Sequence, residues 1–519
     1  MKKNLNKITK SQILLLAVML TSSLLLLYLT TLKEGMHVDE YYTYGLANHE
    51  EDGDIYIAPE YGVKLSAASV FDTYFYADGF SLRNVWLNQS YDVHPPIYYL
   101  CVHIFTLVTN HFLALKTGAL LNIIFHVLNI GIAYVIMTKM LHKKCNILLG
   151  TILYGFAPIV LGNVLFIRMY VLLSTFILAL TLLFINAWDE EKRGKTFYLK
   201  LGFLSVFGTL VHYYFLIYLF WCCVVWGLRL IGRRRWKELG IYIGTMIASG
   251  AVSVAIFPSM LHHIFSGYRG EESFNNLLYT SSFFKNLKAW GKAIDYLYGG
   301  YLMVVIIIAV ALLIERSRFG NKEKWSGLKK WEIIFIPCIL YLVTIARIGI
   351  AGYSRYISPV YVICVILLMG LFERASARIE NSNIQYLAGV LMIALMLNNS
   401  WKSYTWPELY QEAAEGVKAA RDYGSDNECI YVFNRVWRSM PSYPEFIQYQ
   451  QLSFIPDDNL GLLYCEQYSD YDHVVMTFDR NMGEEAIETV LNNMIDRNPG
   501  LDSYKQIYAF SYNITYYLE

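Results

Sequence analysis

A succession of long apolar runs decides what this chain can fold into. The first covers residues 13–32, and others fall at 97–115, 117–140, 147–165, 170–188, 197–211, 213–230, 239–261, 297–314, 331–345, 356–371 and 384–397. About twenty apolar residues cross a bilayer as a helix. In lipid the backbone must satisfy its own hydrogen bonds, which leaves helices as the form such runs take. With 55% hydrophobic residues, 16% charged residues and a mean hydropathy of +0.35, the chain reads as a mainly α, polytopic membrane protein. Its 43 Lys+Arg against 42 Asp+Glu leave a net charge of +1, so no basic field points to nucleic acid.

Charge orients the runs. The amino terminus begins "MKKNLNKITK" and has no small-residue cleavage site after its apolar stretch, so residues 13–32 are expected to stay as a first span with a cytoplasmic amino end. If every run crossed, the basic stretches "KMLHKK", "GLRLIGRRRWKE" and "ERSRFGNKEKWSGLKK" would face outside, against the positive-inside rule. Run 97–115 starts after two prolines, carries His103 and His111, and is expected to lie at the outer interface without crossing. About eleven spans and an external carboxyl end follow. Residues 33–94 then form an external loop in which eleven acids stand against three basic residues.

A transmembrane domain is expected over 1–399, with 33–115 as its first external loop, followed by an external α/β domain over 400–519. In that tail "YQEAAEGVKAARDYG" reads as an amphipathic helix ending at Gly424, and "EEAIETVLNNMIDRNPG" as another. "CIYVFN" and "HVVMTF" read as buried strands, and "YKQIYAFSYNITYYLE" as final strand material. Of eight scattered cysteines none has metal-ligand spacing; Cys429 and Cys465, both in the tail, are placed so that an external domain would allow them to pair.

Four short motifs fall at external span ends: "HVDE" with His37, Asp39 and Glu40; "DVHPP" with Asp92 and His94; "IRMY" with Arg168 and Tyr170; and "SRY" with Arg355 and Tyr356. Singly, exposed acids in an acidic loop and arginines snorkelling at helix ends explain them. Together they suit transfer of a sugar from a lipid phosphate to a hydroxyl. The acceptor needs a carboxylate base, and the leaving phosphate needs fixed cations, for which Arg is well matched. A lipid donor keeps its head at the interface, where these span ends lie.

This ordered set resembles the GT-C superfamily of polyprenyl-phosphate-dependent glycosyltransferases, in the branch of protein O-mannosyltransferases, the lipid A aminoarabinose transferase and their bacterial relatives. The resemblance implies a first external loop forming helices on the membrane surface. It also implies Asp39 as the base, Glu40 orienting it or binding substrate, Asp92 and His94 on the acceptor or sugar side, and Arg168 and Arg355 on the donor phosphate. Transfer would invert the anomeric carbon. Its partners would be a polyprenyl-phosphate sugar, a glycan, lipid or protein acceptor, and membrane lipid. Protein mannosyltransferases commonly carry a lysine soon after His-Pro-Pro, whereas here Ile97, Tyr98, Tyr99 and Leu100 follow, which favours surface glycans or lipids as acceptors. No cofactor is required, although His37, Asp39, Asp92 and His94 are donor types that a divalent ion accepts. His212 in "LVHYYF" either lines the pocket or is a satisfied interfacial histidine. A transporter or flippase for a lipid-linked sugar, and a polymerase or ligase using a lipid diphosphate, are the rival readings. The first would keep ionisable residues at mid-bilayer and often shows repeated halves, neither of which is seen.

Overall fold

A computed structural model describes residues 9–50, 60–70, 75–77, 79–109, 116–190, 193–278, 282–319, 330–349, 353–423 and 428–519. His111, Gly424 and the basic stretch 320–329 lie outside the described residues. The chain divides into two compact units. One comprises Met1–Leu27, Asp92–Tyr98 and Ala119–Trp406; the other comprises Tyr28–Tyr91, Tyr99–Gly118 and Pro407–Glu519.

The first unit is helical. Among the described residues, seven helices are long and apolar enough to cross a membrane, or nine if each of two bent pairs counts as one span. Lys195–Val211 and Glu332–Ile348, at 17 residues each, fall just short of that length, so seven to nine spans stand against the eleven expected from the sequence. The described helix of run 97–115, Ile97–Thr109, has 13 residues and is about 20 Å long, short of the roughly 30 Å apolar layer. Each bend has a local cause. Ala157 precedes Pro158, is held extended at φ −67° and ψ 122°, and separates Lys144–Phe156 from Pro158–Leu165 by 47°. Gly299 and Gly300, at φ +62° and +84°, turn the chain by 94° between Phe283–Leu297 and Leu302–Glu315. A Cβ on Gly299 would come within 2.3 Å of the Met396 carbonyl oxygen, so no other residue fits.

The second unit is built on a six-stranded sheet in the order β1-β3-β2-β4-β6-β5. The strands are β1 (Lys64–Ser66), β2 (Glu428–Phe433), β3 (Gln451–Pro456), β4 (Val474–Asp479), β5 (Tyr504–Phe510) and β6 (Asn513–Leu518). β2 runs parallel to both β3 and β4, and the other pairings are antiparallel. β2 and β4 are buried along their whole length, as central parallel strands covered on both faces must be. Ile430 and Val432 face a core with Phe478 and with Ile487, Val490 and Leu491 of the helix Glu484–Arg497. Alternation turns Tyr431 to the opposite face, where it packs on Phe446. β1 comes from the first loop, and its Leu65 pairs with Leu452 of β3. Cys429 is buried and Cys465 exposed, and both are free thiols, so the allowed pairing does not form.

Candidate active site

Seven of the residues singled out in the sequence meet inside the helical unit, each at an interruption between helices. Asp92 and His94 occupy the turn before Ile97–Thr109, and Arg168 and Tyr170 the break between Pro158–Leu165 and Tyr170–Trp188. His212 ends Lys195–Val211, while Arg355 and Tyr356 form a single 3-10 turn, Ser354–Tyr356.

A hydrogen-bonded chain is the core of the site. His94 Nδ1 lies 2.7 Å from Asp92 Oδ2, and Arg168 Nη2 lies 3.2 Å from His94 Nε2. A guanidinium only donates, so Nε2 must present its lone pair and Nδ1 must carry the proton given to Asp92. Burial pushes the Asp92 carboxyl up, but His94, Arg168 and the Val93 N–H outweigh it and hold its pKa below the usual range. Asp92 is thus an anion that fixes one imidazole tautomer and, through it, a nearly buried arginine, 5% exposed.

Aromatic rings extend from this chain. The His212 ring lies 5.9 Å from His94, 5.6 Å from Tyr170 and 4.6 Å from Tyr214; Tyr356 then lies 5.5 Å from Tyr214. His212 Nδ1 accepts the Tyr214 N–H at 2.9 Å, and burial, with His94 and Arg168 adding to it, keeps this imidazole well below its usual pKa and neutral. Arg355 lies 5.4 Å from the Phe166 ring, 4.5 Å from Tyr353 and 5.6 Å from Tyr356. Flat aromatic faces therefore fix its guanidinium plane.

The supports of these breaks carry no motif. Asn122 donates to the carbonyls of Val164 and Phe166 at 3.1 and 3.0 Å and accepts from the Tyr98 hydroxyl at 3.0 Å. It thereby satisfies the end of the helix that precedes Arg168. Tyr341 donates to the Tyr356 carbonyl and Ser358 to that of Arg355, holding the 3-10 turn. Sequence reasoning also passed over Tyr213, whose hydroxyl lies 2.8 Å from His263 Nδ1, and whose pKa is raised by burial and by the nearby Asp92 charge. The doublets "HYY" and "HH" at external junctions were its signal.

His37, Asp39 and Glu40 belong to the other unit. His37 caps the helix Val38–Asn48: its Nδ1 accepts the Asp39 N–H at 3.0 Å, and Glu40 Oε2 accepts the His37 N–H at 2.8 Å. The remaining Glu40 oxygen takes Lys33 Nζ at 2.8 Å, with side-chain exposures of 0% and 5%. Glu40 therefore spends both oxygens on structure. The Asp39 carboxylate is 26% exposed and lies 3.5 Å from His37 Nδ1. Among the described residues no group of three or more His, Cys, Asp or Glu is arranged to hold a metal ion. Both ring nitrogens of His94 are engaged in hydrogen bonds within the protein.

A family model described as a domain of unknown function (DUF6311) matches residues 96–379, more than half of the chain. The chain belongs to the DUF6311 family. The DUF6311 segment opens at Pro96, directly after the Asp92–His94 turn, and contains Arg168, Tyr170, His212, Arg355 and Tyr356. No curated protein matches it in sequence. Among solved structures, ArnT from Cupriavidus metallidurans bound to undecaprenyl phosphate is similar, with a TM-score of 0.55, 10% identity and 97% coverage of both chains. The apo form of that ArnT gives 0.54 at 11% identity, and the apo oligosaccharyltransferase of Archaeoglobus fulgidus gives 0.49 at 10%, covering 93% of this chain and 71% of that one. This DUF6311 protein has the GT-C fold.

Proposed function

We propose that this protein is an inverting glycosyltransferase that moves a sugar from a polyprenyl phosphate to a hydroxyl of a surface glycan or lipid on the outer face of the membrane. The observation that carries the reading is the Asp92–His94–Arg168 chain, joined through the His212, Tyr170 and Tyr356 rings to Arg355, so that two oriented guanidiniums stand at helix breaks of one unit. The ArnT of the same fold is bound to undecaprenyl phosphate, which supports a lipid monophosphate as donor.

In this reading Arg168 and Arg355 take the donor phosphate. The acceptor oxygen attacks the anomeric carbon from the side opposite the phosphate and gives its proton to a carboxylate. As that C–O bond forms, the bond from the anomeric carbon to the phosphate oxygen breaks. The polyprenyl phosphate leaves with its added charge held by the two guanidiniums, whose fixed positions require no reorganisation during the step. Asp39 is the proposed base, the role that the resemblance to the GT-C superfamily implies for it; Asp92 holds His94, and Glu40 spends its oxygens on the cap and on Lys33. Tyr170, Tyr356 and His212 offer ring faces and polar edges to the sugar.

The test is release of labelled sugar from defined polyprenyl-phosphate donors, comparing purified wild type with Asp39→Asn and Asp92→Asn. General-base loss should cost Asp39→Asn about a hundred- to ten-thousandfold. Full activity in Asp39→Asn with loss in Asp92→Asn would move the base to Asp92. No transfer by folded wild type from any monophosphate donor would overturn the reading in favour of a diphosphate donor or transport.

A further inference from the structure

The sheet of the second unit has a feature that transfer chemistry does not use. β2 connects to β3 on one side and the chain then returns to place β4 on the other, so the connections leaving β2 and β4 depart to opposite faces. The turn after β2, Val436–Ser442, lies with Tyr443–Phe446 on the Tyr431 face, and the helix Glu484–Arg497 after β4 lies on the Ile430 face. A crevice at the carboxyl ends of parallel strands where the order reverses is where open α/β sheets bind ligands.

The residues at this edge form a built surface. Arg438 Nη1 donates to Asp479 Oδ1 at 2.6 Å, and that aspartate, the last residue of β4, is fully buried. The same Oδ1 accepts the Asn481 N–H at 2.9 Å. Arg438 itself remains 14% exposed, with its guanidinium carbon 5.3 Å from the Trp437 ring and 5.3 Å from the Tyr512 ring. Those rings stand 5.1 Å apart at 80°, two walls of a corner. Tyr512 is presented by the β5–β6 turn, where Ser511 takes φ +52°, and its carbonyl accepts the Arg480 N–H at 2.9 Å. Asn513 donates to the Arg438 carbonyl at 2.8 Å, tying all three loops together. Asn434, exposed directly after β2, donates to Asp457. Arg438 Nε and Asp479 Oδ2 have no hydrogen-bond partner among the described residues.

We infer that this corner is a binding subsite for a neutral pyranose of a glycan, which stacks on Trp437 or Tyr512 and hydrogen-bonds through Arg438 and Asn434. An apolar sugar face matches an aromatic wall, and vicinal hydroxyls match a planar donor held in one orientation. Asp479 acts through Arg438, fixing the guanidinium. Neutrality follows from charge: Arg435, Arg438 and Arg480 are balanced at this edge by Asp457, Asp458 and Asp479, leaving no field to favour an anion. The subsite stands apart from the transferase reading, because binding is read without transfer.

Saturation-transfer NMR on the full chain in nanodiscs, free of sugar-based detergent, tests it with glucose, galactose, mannose, N-acetylglucosamine and glucuronate. At least one neutral sugar should receive saturation, and Trp437→Ala and Tyr512→Leu, each with an unchanged unfolding midpoint, should weaken it roughly tenfold. If Trp437→Ala misfolds, Tyr512→Leu alone decides. No transfer to any neutral sugar, transfer to glucuronate only, or binding that survives the folded variants would overturn the inference.

Discussion

Two adjacent carboxylates at the end of the first span have opposite fates. Glu40 is buried, completes the cap of Val38–Asn48 and neutralises Lys33, whereas Asp39 keeps a carboxylate in partial contact with solvent. Removing one member of a buried pair leaves the other charge uncompensated, typically at about 3–5 kcal/mol. Glu40→Ala should therefore lower the unfolding midpoint sharply, and Lys33→Met combined with Glu40→Leu should recover most of the loss, whereas Asp39→Asn should leave the midpoint unchanged. Arg168 is the converse case. Taking away one fixed donor to a developing anion costs about a hundred- to a thousandfold in kcat. Arg168→Ala should show that loss, and Arg168→Lys should recover little of it, because an ammonium does not reproduce the planar fork that meets His94. Steady-state transfer with a defined donor measures both.

At the scale of elements, every gathered site residue stands where a helix stops, so whatever satisfies the broken backbone also sets the site. Asn122→Ala would leave the Val164 and Phe166 carbonyls without their side-chain donor, at about 1–3 kcal/mol for each group left unsatisfied. Transfer should fall at least tenfold, with a higher KM for the lipid donor, although Asn122 is fully buried and touches no ligand in the proposed reaction. Kinetics over a donor series separate this from a loss confined to kcat. Much at this scale was readable in advance. Apolar length marked the spans, and "CIYVFN" and "HVVMTF" are strands. The supports were not, because Asn122 sits in a plain apolar run and its role depends on carbonyls more than forty positions away. Likewise nothing near Glu40 says that Lys33 will be buried with it. β1 has three residues and draws its meaning from β3, so no local periodicity could announce it.

At the scale of the whole molecule, a buried carboxyl makes stability depend on pH. Glu445 is 2% exposed and accepts a hydrogen bond from Thr515 at 2.9 Å. Burial pushes its pKa up from the ordinary glutamate value to about 8, with the hydrogen bonds from Thr515 and Tyr449 pulling partly the other way. The folded state holds this proton more tightly than the unfolded chain. Its contribution is therefore complete below about pH 4.5 and is lost as pH rises toward 8, by at most about 1.4 kcal/mol per pH unit. Thermal unfolding of the second unit should drop across that window, and Glu445→Gln should flatten the slope. An unchanged slope in the variant would assign the dependence to another group.

The pairing of Ser66 with Gln451 also puts a clock into the making of this protein. At roughly 5–20 residues per second, the ribosome needs on the order of tens of seconds after β1 emerges before its partner β3 exists. Through that interval Lys64–Ser66 must wait, and so must Tyr41 and Phe75, which eventually pack against Tyr443. The loop that carries Asp39 can therefore reach its final packing only when synthesis has gone past residue 456, long after the loop itself has been made.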